Sequence, residues 1–228
     1  MNAPSHRPHS GRPPSSEAGG AATVTPEAVP TGNTYDKYGS DNPVVKKLMA
    51  RFHSALDELW EIAQPRSVLD VGCGEGVLTS EWAERLRDGR IVGIDLEDPK
   101  LHAEWEKRSR PNLEYRAEEA TRLSFADGEF DMATAIEVLE HVPQPERTLA
   151  EMARVAERYL LVSVPREPIW RMVNMARGAY WGSLGNTPGH VNHWSKVSFK
   201  SLLTQYGAVE EIRSPFPWTM LLVKVEGG

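Results

Sequence analysis

Apolar residues first recur with helical spacing at Val44, Val45, Leu48, Met49, Phe52, Leu56, Leu59 and Trp60. That is the stripe an amphipathic helix needs, and Pro43 suits its first turn. Short apolar runs then alternate with helical patterns. Strands are predicted over Ser67–Val71, Ile91–Asp95, Asn112–Arg116, Phe130–Ala135 and Tyr159–Val164. Helices are predicted over Val77–Leu86, Lys100–Arg108 and Glu146–Ala156. Alternation of this kind predicts a parallel sheet covered on both faces. After Val164 the rhythm breaks, and residues 165–195 read as an insertion holding Trp170, Tyr180, Trp181 and Trp194. A helix over Lys196–Gln205 and strands over Val209–Arg213 and Met220–Val225 complete a doubly wound, mostly parallel, seven-stranded α/β sheet.

In such sheets ligands sit beyond the carboxyl ends of the strands. The chemistry is therefore expected just after Val71, Asp95, Arg116, Ala135 and Val164. The richest stretch is Val68-Leu69-Asp70-Val71-Gly72-Cys73-Gly74-Glu75-Gly76, an apolar strand running into three glycines and then a helix. Glycine permits a tight turn and close backbone approach to a ligand. The next strand ends in Asp95, 21 positions after Gly74, where a carboxylate can accept from both ribose hydroxyls. Together they describe a nucleoside site. The dinucleotide fingerprint G-x-G-x-x-G is not met, because Val77 stands where its last glycine should be. Asp70, inside the strand, disfavours a pyrophosphate and suits a cationic ligand. Cys73 sits between two glycines with no base placed beside it in sequence, so it reads as a small loop residue rather than a nucleophile.

These residues carry a family resemblance. Asp70 to Gly76 resembles motif I of the class I S-adenosylmethionine (SAM)-dependent methyltransferases, and Val92-Gly93-Ile94-Asp95-Leu96 resembles motif II. Leu123 to Asp131 resembles the segment entering strand four, and Glu137-Val138-Leu139-Glu140-His141-Val142 the one leaving it. The likeness is to the type-11 methyltransferase group, which includes quinone-ring and secondary-metabolite enzymes. It implies a Rossmann-like fold with SAM as cofactor. It also implies that Asp70, Gly72 and Gly74 line the methionine part, Asp95 holds the ribose, and Leu96 packs on adenine. Glu119 and Ala120 occupy places that contact the adenine amino edge, although Glu118-Glu119 departs from the family's Gly-Asp. Ala135 and Ile136 offer backbone groups to the SAM amine.

Glu137, Glu140 and His141 stand at i, i+3 and i+4, and share one face if the stretch is helical. Two carboxylates and an imidazole suit Mg or Mn, and His190 or His193 could complete the set. The spacing resembles the ligands of some quinone-ring and small-RNA 2′-O-methyltransferases. A metal-free reading, in which the string only packs a helix start, stands beside it. His190 first and His193 second are the candidate general bases, with loop ordering as the alternative role. Trp170, Val173, Ala176, Arg177, Tyr180 and Trp181 suggest a lid helix with an aromatic inner face, to which Tyr35 and Tyr38 could add. That points to an apolar or aromatic small-molecule acceptor, methylated on a hydroxyl. An RNA 2′-O-methyltransferase and a non-catalytic SAM-binding protein are the alternatives.

Composition trims these choices. The chain has 228 residues, 40% hydrophobic and 25% charged, with a net charge of −6. Nucleic-acid binders usually carry a basic surface, so the balance argues against a nucleic-acid substrate. No apolar run approaches the length of a membrane span, and no signal peptide is legible at the N-terminus. The single cysteine fits a reducing, cytoplasmic setting. Residues 1–33, rich in Pro, Ser, Gly and Ala, are expected to be a disordered tail. Residues 34–62 form a helical segment and residues 63–228 the methyltransferase domain. The acceptor and the oligomeric state leave no readable mark.

Overall fold

The computed structural model of the chain describes residue 1, residues 42–176 and residues 178–225. Apart from Met1, the expected tail lies outside the described residues, as do Tyr35, Tyr38 and Arg177. Helix α1, Pro43–Ala63, is started by Asn42, whose side chain accepts from the Val44 N–H at 2.9 Å. Its apolar stripe buries Phe52, Ala55, Leu56, Leu59, Trp60 and Ala63.

The chain then alternates as expected: β1 (Ser67–Val71), α2 (Val77–Arg85), β2 (Arg90–Asp95), α3 (Pro99–Lys107), β3 (Leu113–Ala117), β4 (Phe130–Ile136), α4 (Pro145–Val155) and β5 (Ala156–Pro165). The insertion follows, with α5 (Ile169–Ala176) and a single 3-10 turn at Trp181–Ser183. Then come α6 (Lys196–Leu203), β6 (Gly207–Arg213) and β7 (Trp218–Val225). The sheet order is β3-β2-β1-β4-β5-β7-β6. β1 to β5 pair in parallel, and β7 runs antiparallel between β5 and β6.

Period-two alternation sends side chains to opposite faces of each strand. Leu69, Val92, Ala133, Leu160 and Leu221 meet α4 and α6 through Leu149, Met152, Phe199 and Leu203. Val68, Ile91, Met132, Leu161 and Leu222 meet α1 and α2 through Leu56, Leu59, Trp60 and Trp82. Both faces are therefore covered, which is why the central strands read as continuous apolar runs rather than alternating ones. The strand order reverses between β1 and β4. That opens a crevice at the carboxyl edge of the sheet, where ligands bind in folds of this type.

Helix α5 departs from the expected pattern. It ends at Ala176, so Tyr180 and Trp181 are not on it. Its one buried residue is Asn174, while Met172 and Trp181 are exposed. The Asn174 amide donates to the Gly185 carbonyl and to Thr187 Oγ1, so a polar contact anchors the helix on that side. Among the described residues no helix is long and apolar enough to cross a membrane.

Candidate active site

At the end of β1 the chain turns through Gly72, Gly74 and Gly76, all with positive φ. The Gly72 and Cys73 N–H groups donate to the Ile94 carbonyl of β2. The Gly74 N–H donates to Asp95 Oδ2 at 2.7 Å, and the Leu96 N–H to Asp95 Oδ1 at 2.8 Å. Two stacked rings hold the loop from below. Trp105 Nε1–H donates to the Gly74 carbonyl at 2.8 Å and the Tyr115 hydroxyl to that of Gly76 at 3.0 Å. The two rings lie 5.3 Å apart and nearly parallel. Sequence reasoning missed this prop, because Trp105 recurs with Leu101 at core spacing and reads as packing.

Asp70 is buried directly beneath the loop. It accepts from Thr79 Oγ1 at 2.6 Å and from Thr134 Oγ1 at 2.8 Å. Burial outweighs those bonds and, with a smaller push from Asp95, raises its pKa to about 6. Burial also pushes Asp95 up, against the two backbone N–H groups it accepts from. Two partly strained acids around one loop are relieved by a nearby cation. Burial and both acids push the Cys73 thiol well up, which leaves it unreactive.

The remaining predicted contacts lie along the same edge. Glu119 and Ala120 follow β3, whose Ala117 pairs with Asp95. Glu119 is exposed and accepts from Thr121 Oγ1, while Ala120 packs against the core. Leu96 is 43% exposed, an apolar surface open beside Asp95. Ala135 is buried in β4 and Ile136 ends it.

The stretch after β4 is a turn, not a helix, so the shared face expected of Glu137, Glu140 and His141 does not exist. Glu137 has φ 61° and turns back toward β5, accepting from Ser163 Oγ at 3.0 Å. Glu140, His141 and His190 come together instead, with one ligand atom from each within 4.8 Å of the others. Glu140 and His190 are buried. The His141 Nδ1–H donates to the Gly189 carbonyl at 3.0 Å, which leaves Nε2 as the basic nitrogen of the neutral ring. The His190 ring stands edge-on to His141 at 4.8 Å, and Trp170 stacks over it at 6.0 Å. The turn touches the glycine loop, since a Cβ on Gly72 would lie 2.5 Å from Val138 Cγ2.

His193 is not part of this group. It is exposed, with Nε2 at 3.0 Å from the Arg171 guanidinium and 2.7 Å from Asn186 Oδ1. Burial and the Arg171 charge hold its pKa below the usual imidazole value.

Comparison with known proteins matches this geometry. The type-11 family model, described as a methyltransferase domain, matches residues 69–159, from β1 into β5. Those residues are similar to a methyltransferase domain over 91 of the chain's 228 residues. A ubiquinone biosynthesis O-methyltransferase of Hahella chejuensis is 41% identical over 98 residues, 40% of this chain and 39% of that protein. One from Methylococcus capsulatus is 32% identical over 149 residues, 58% of this chain and 61% of its own length. The chain thus spans less than two thirds of these curated relatives. A magnesium protoporphyrin IX methyltransferase of Synechocystis, solved with bound S-adenosylhomocysteine (SAH), superposes with a TM-score of 0.62 at 17% identity. It covers 82% of this chain and 90% of its own. The chain therefore has the Rossmann-like α/β fold that the motifs imply.

Proposed function

We propose that this methyltransferase domain, with boundaries at residues 63–228 and a lid over residues 165–195, transfers a methyl group from SAM to a hydroxyl of a small, ring-containing acceptor. The acid-lined glycine loop carries the reading. The residues fit the cofactor in three respects. A Cβ built on Gly74 meets nothing within 4 Å, so there is room against the backbone. Asp70 supplies a buried negative charge suited to the sulfonium and ammonium, and Asp95 a carboxylate suited to the ribose hydroxyls. Leu96 presents open apolar surface for adenine. Gly72 lines the methionine part, while Glu119, Ala120, Ala135 and Ile136 complete the contacts on either side of the loop.

SAM supplies the electrophilic methyl group. The protein's part is to hold the acceptor oxygen in line and take its proton. His190 suits that work better than His193, being buried beside Glu140 and His141, whereas His193 stands against a cation at the surface. The names of the relatives support hydroxyl acceptors and favour neither RNA nor a non-catalytic role. Cys73, the single cysteine, supports a cytoplasmic location.

A metal-assisted form of this reading is favoured by one observation, the convergence of Glu140, His141 and His190. One carboxylate and two imidazoles form a softer donor set than one that also includes Glu137, which tilts preference from Mg toward Mn. Such an ion, when bound, would acidify the acceptor hydroxyl.

The test is calorimetric titration with SAH. The wild type is expected to bind in the micromolar range, with no binding of NAD. Asp95→Ala is expected to weaken SAH by about 10- to 100-fold, the worth of charge-assisted hydrogen bonds. NAD binding without SAH binding would return the loop to a dinucleotide.

A further inference from the structure

Asn192 ties together every strand of backbone that carries the Glu140, His141 and His190 group. Its side-chain Nδ2 has two N–H bonds, and each finds one carbonyl: Leu139 at 3.0 Å and Val142 at 2.6 Å. Those two carbonyls bracket Glu140 and His141. Its backbone N–H and that of Val191 both donate to the Glu140 carbonyl, at 3.1 and 2.8 Å. Val191 follows His190 directly, so four hydrogen bonds fasten the His190 loop onto the turn after β4. A fifth, from His141 Nδ1–H to the Gly189 carbonyl, fastens it from the other side.

We infer that Asn192 is the positioning residue of this group, setting the spacing of Glu140, His141 and His190 without touching the acceptor. Neither segment has regular structure of its own: residues 137–144 are turn and coil, and residues 184–194 are coil joined by isolated bonds. Three side chains on two irregular segments keep one geometry only if the segments are cross-linked. Asn192 supplies the cross-link, because an amide alone offers two donors from one planar nitrogen on so short a side chain. Leucine has the same outline and no donors. Aspartate has the same outline and faces the two carbonyls with acceptors only.

The inference rests on the proposed work of the group, so its test has one readout that needs the metal reading and one that does not. Full-length wild type, Asn192→Leu and Asn192→Asp are titrated with Mn²⁺, and the histidine ring nitrogens are followed by NMR on histidine-labelled protein. SAH titration shows that each variant keeps its fold. Supporting partners of metal ligands typically change affinity by about 10- to 100-fold. Both variants are expected to lose Mn²⁺ affinity by that factor and to shift the His141 and His190 ring signals, with SAH affinity held within about twofold. Unchanged Mn²⁺ affinity together with unchanged ring signals would overturn the inference. If the wild type binds no Mn²⁺, the metal reading fails by itself and the ring signals decide. Shifted signals then uphold the positioning role, and unchanged ones remove it.

Discussion

Asp70 is the residue whose environment leaves the clearest mark on solution behaviour. Its carboxyl is buried, and among the described residues two threonine hydroxyls and no cation answer its charge. The folded pKa is about 6 against the usual 3.8. Because the folded value is raised, the native state holds the proton longer than the unfolded chain. The contribution of Asp70 to stability is therefore fully present below about pH 4, falls as pH rises toward 6, and levels off above it, by an amount on the order of 3 kcal/mol. A cation reverses the balance, since it favours the ionised form. SAM affinity is expected to rise with pH up to about 6 and then flatten. Asp70→Asn should remove the larger part of both slopes and leave the part that Asp95, also pushed up by burial, contributes, in denaturant titrations and in calorimetry between pH 4 and 8. A variant that kept the wild-type slopes would assign them to another group.

At the scale of elements, the glycine loop and the turn after β4 are one packed unit. Gly72 has φ 74°, and a Cβ there meets Val138 Cγ2 at 2.5 Å. A side chain at this φ costs about 1–2 kcal/mol by itself, and Val138 must also shift, carrying Glu140 and His141 with it. Gly72→Ala is thus expected to lower both stability and SAH affinity. Val138→Ala in the same chain should recover part of the loss, because it removes the collision and leaves the backbone strain. Additive losses in that double-mutant cycle would show that loop and turn do not press on each other. Strand and helix order was legible in the text of the chain, since runs such as Leu160 to Val164 and stripes such as Phe52 to Trp60 carry their periodicity openly. The turn at Glu137 was not. Nothing in Glu-Val-Leu-Glu-His announces a positive φ at its first residue, and the helical spacing of its acids set Glu137 beside Glu140 and His141, where the structure gathers His190 with those two. His190 came into the group through tertiary packing 50 residues away, with Asn192 as its unseen fastening. Helix α5 was legible in part: Trp170 does turn inward onto His190, but Tyr180 and Trp181 lie beyond the helix, and a buried Asn174 hydrogen-bonded to Gly185 and Thr187 shares its inner side.

Across the whole molecule the sheet divides the labour at its switch point. Asp70, Gly72, Gly74, Asp95, Leu96 and Glu119 lie at or just beyond the ends of β1, β2 and β3 on one side of the crevice, with Ala135 and Ile136 meeting them from the end of β4. Glu140, His141 and His190 follow β4 and β5 on the other. The proposed cofactor contacts and the proposed proton-handling group therefore share a boundary at Gly72 and Val138 but no side chain among those named. Loss of an ion from the second half should leave the first intact. With an acceptor found by screening hydroxylated rings, chelation is expected to leave SAH affinity unchanged and to abolish methyl transfer, and Mn should restore turnover more fully than Mg. Turnover that survives the chelator would give the proton to His190 as a simple base with Glu140 behind it, and His190→Ala would then lower kcat while leaving SAH affinity in place. If chelation instead removed SAH binding, the two halves would not be independent, and the metal would belong with the cofactor rather than with the acceptor.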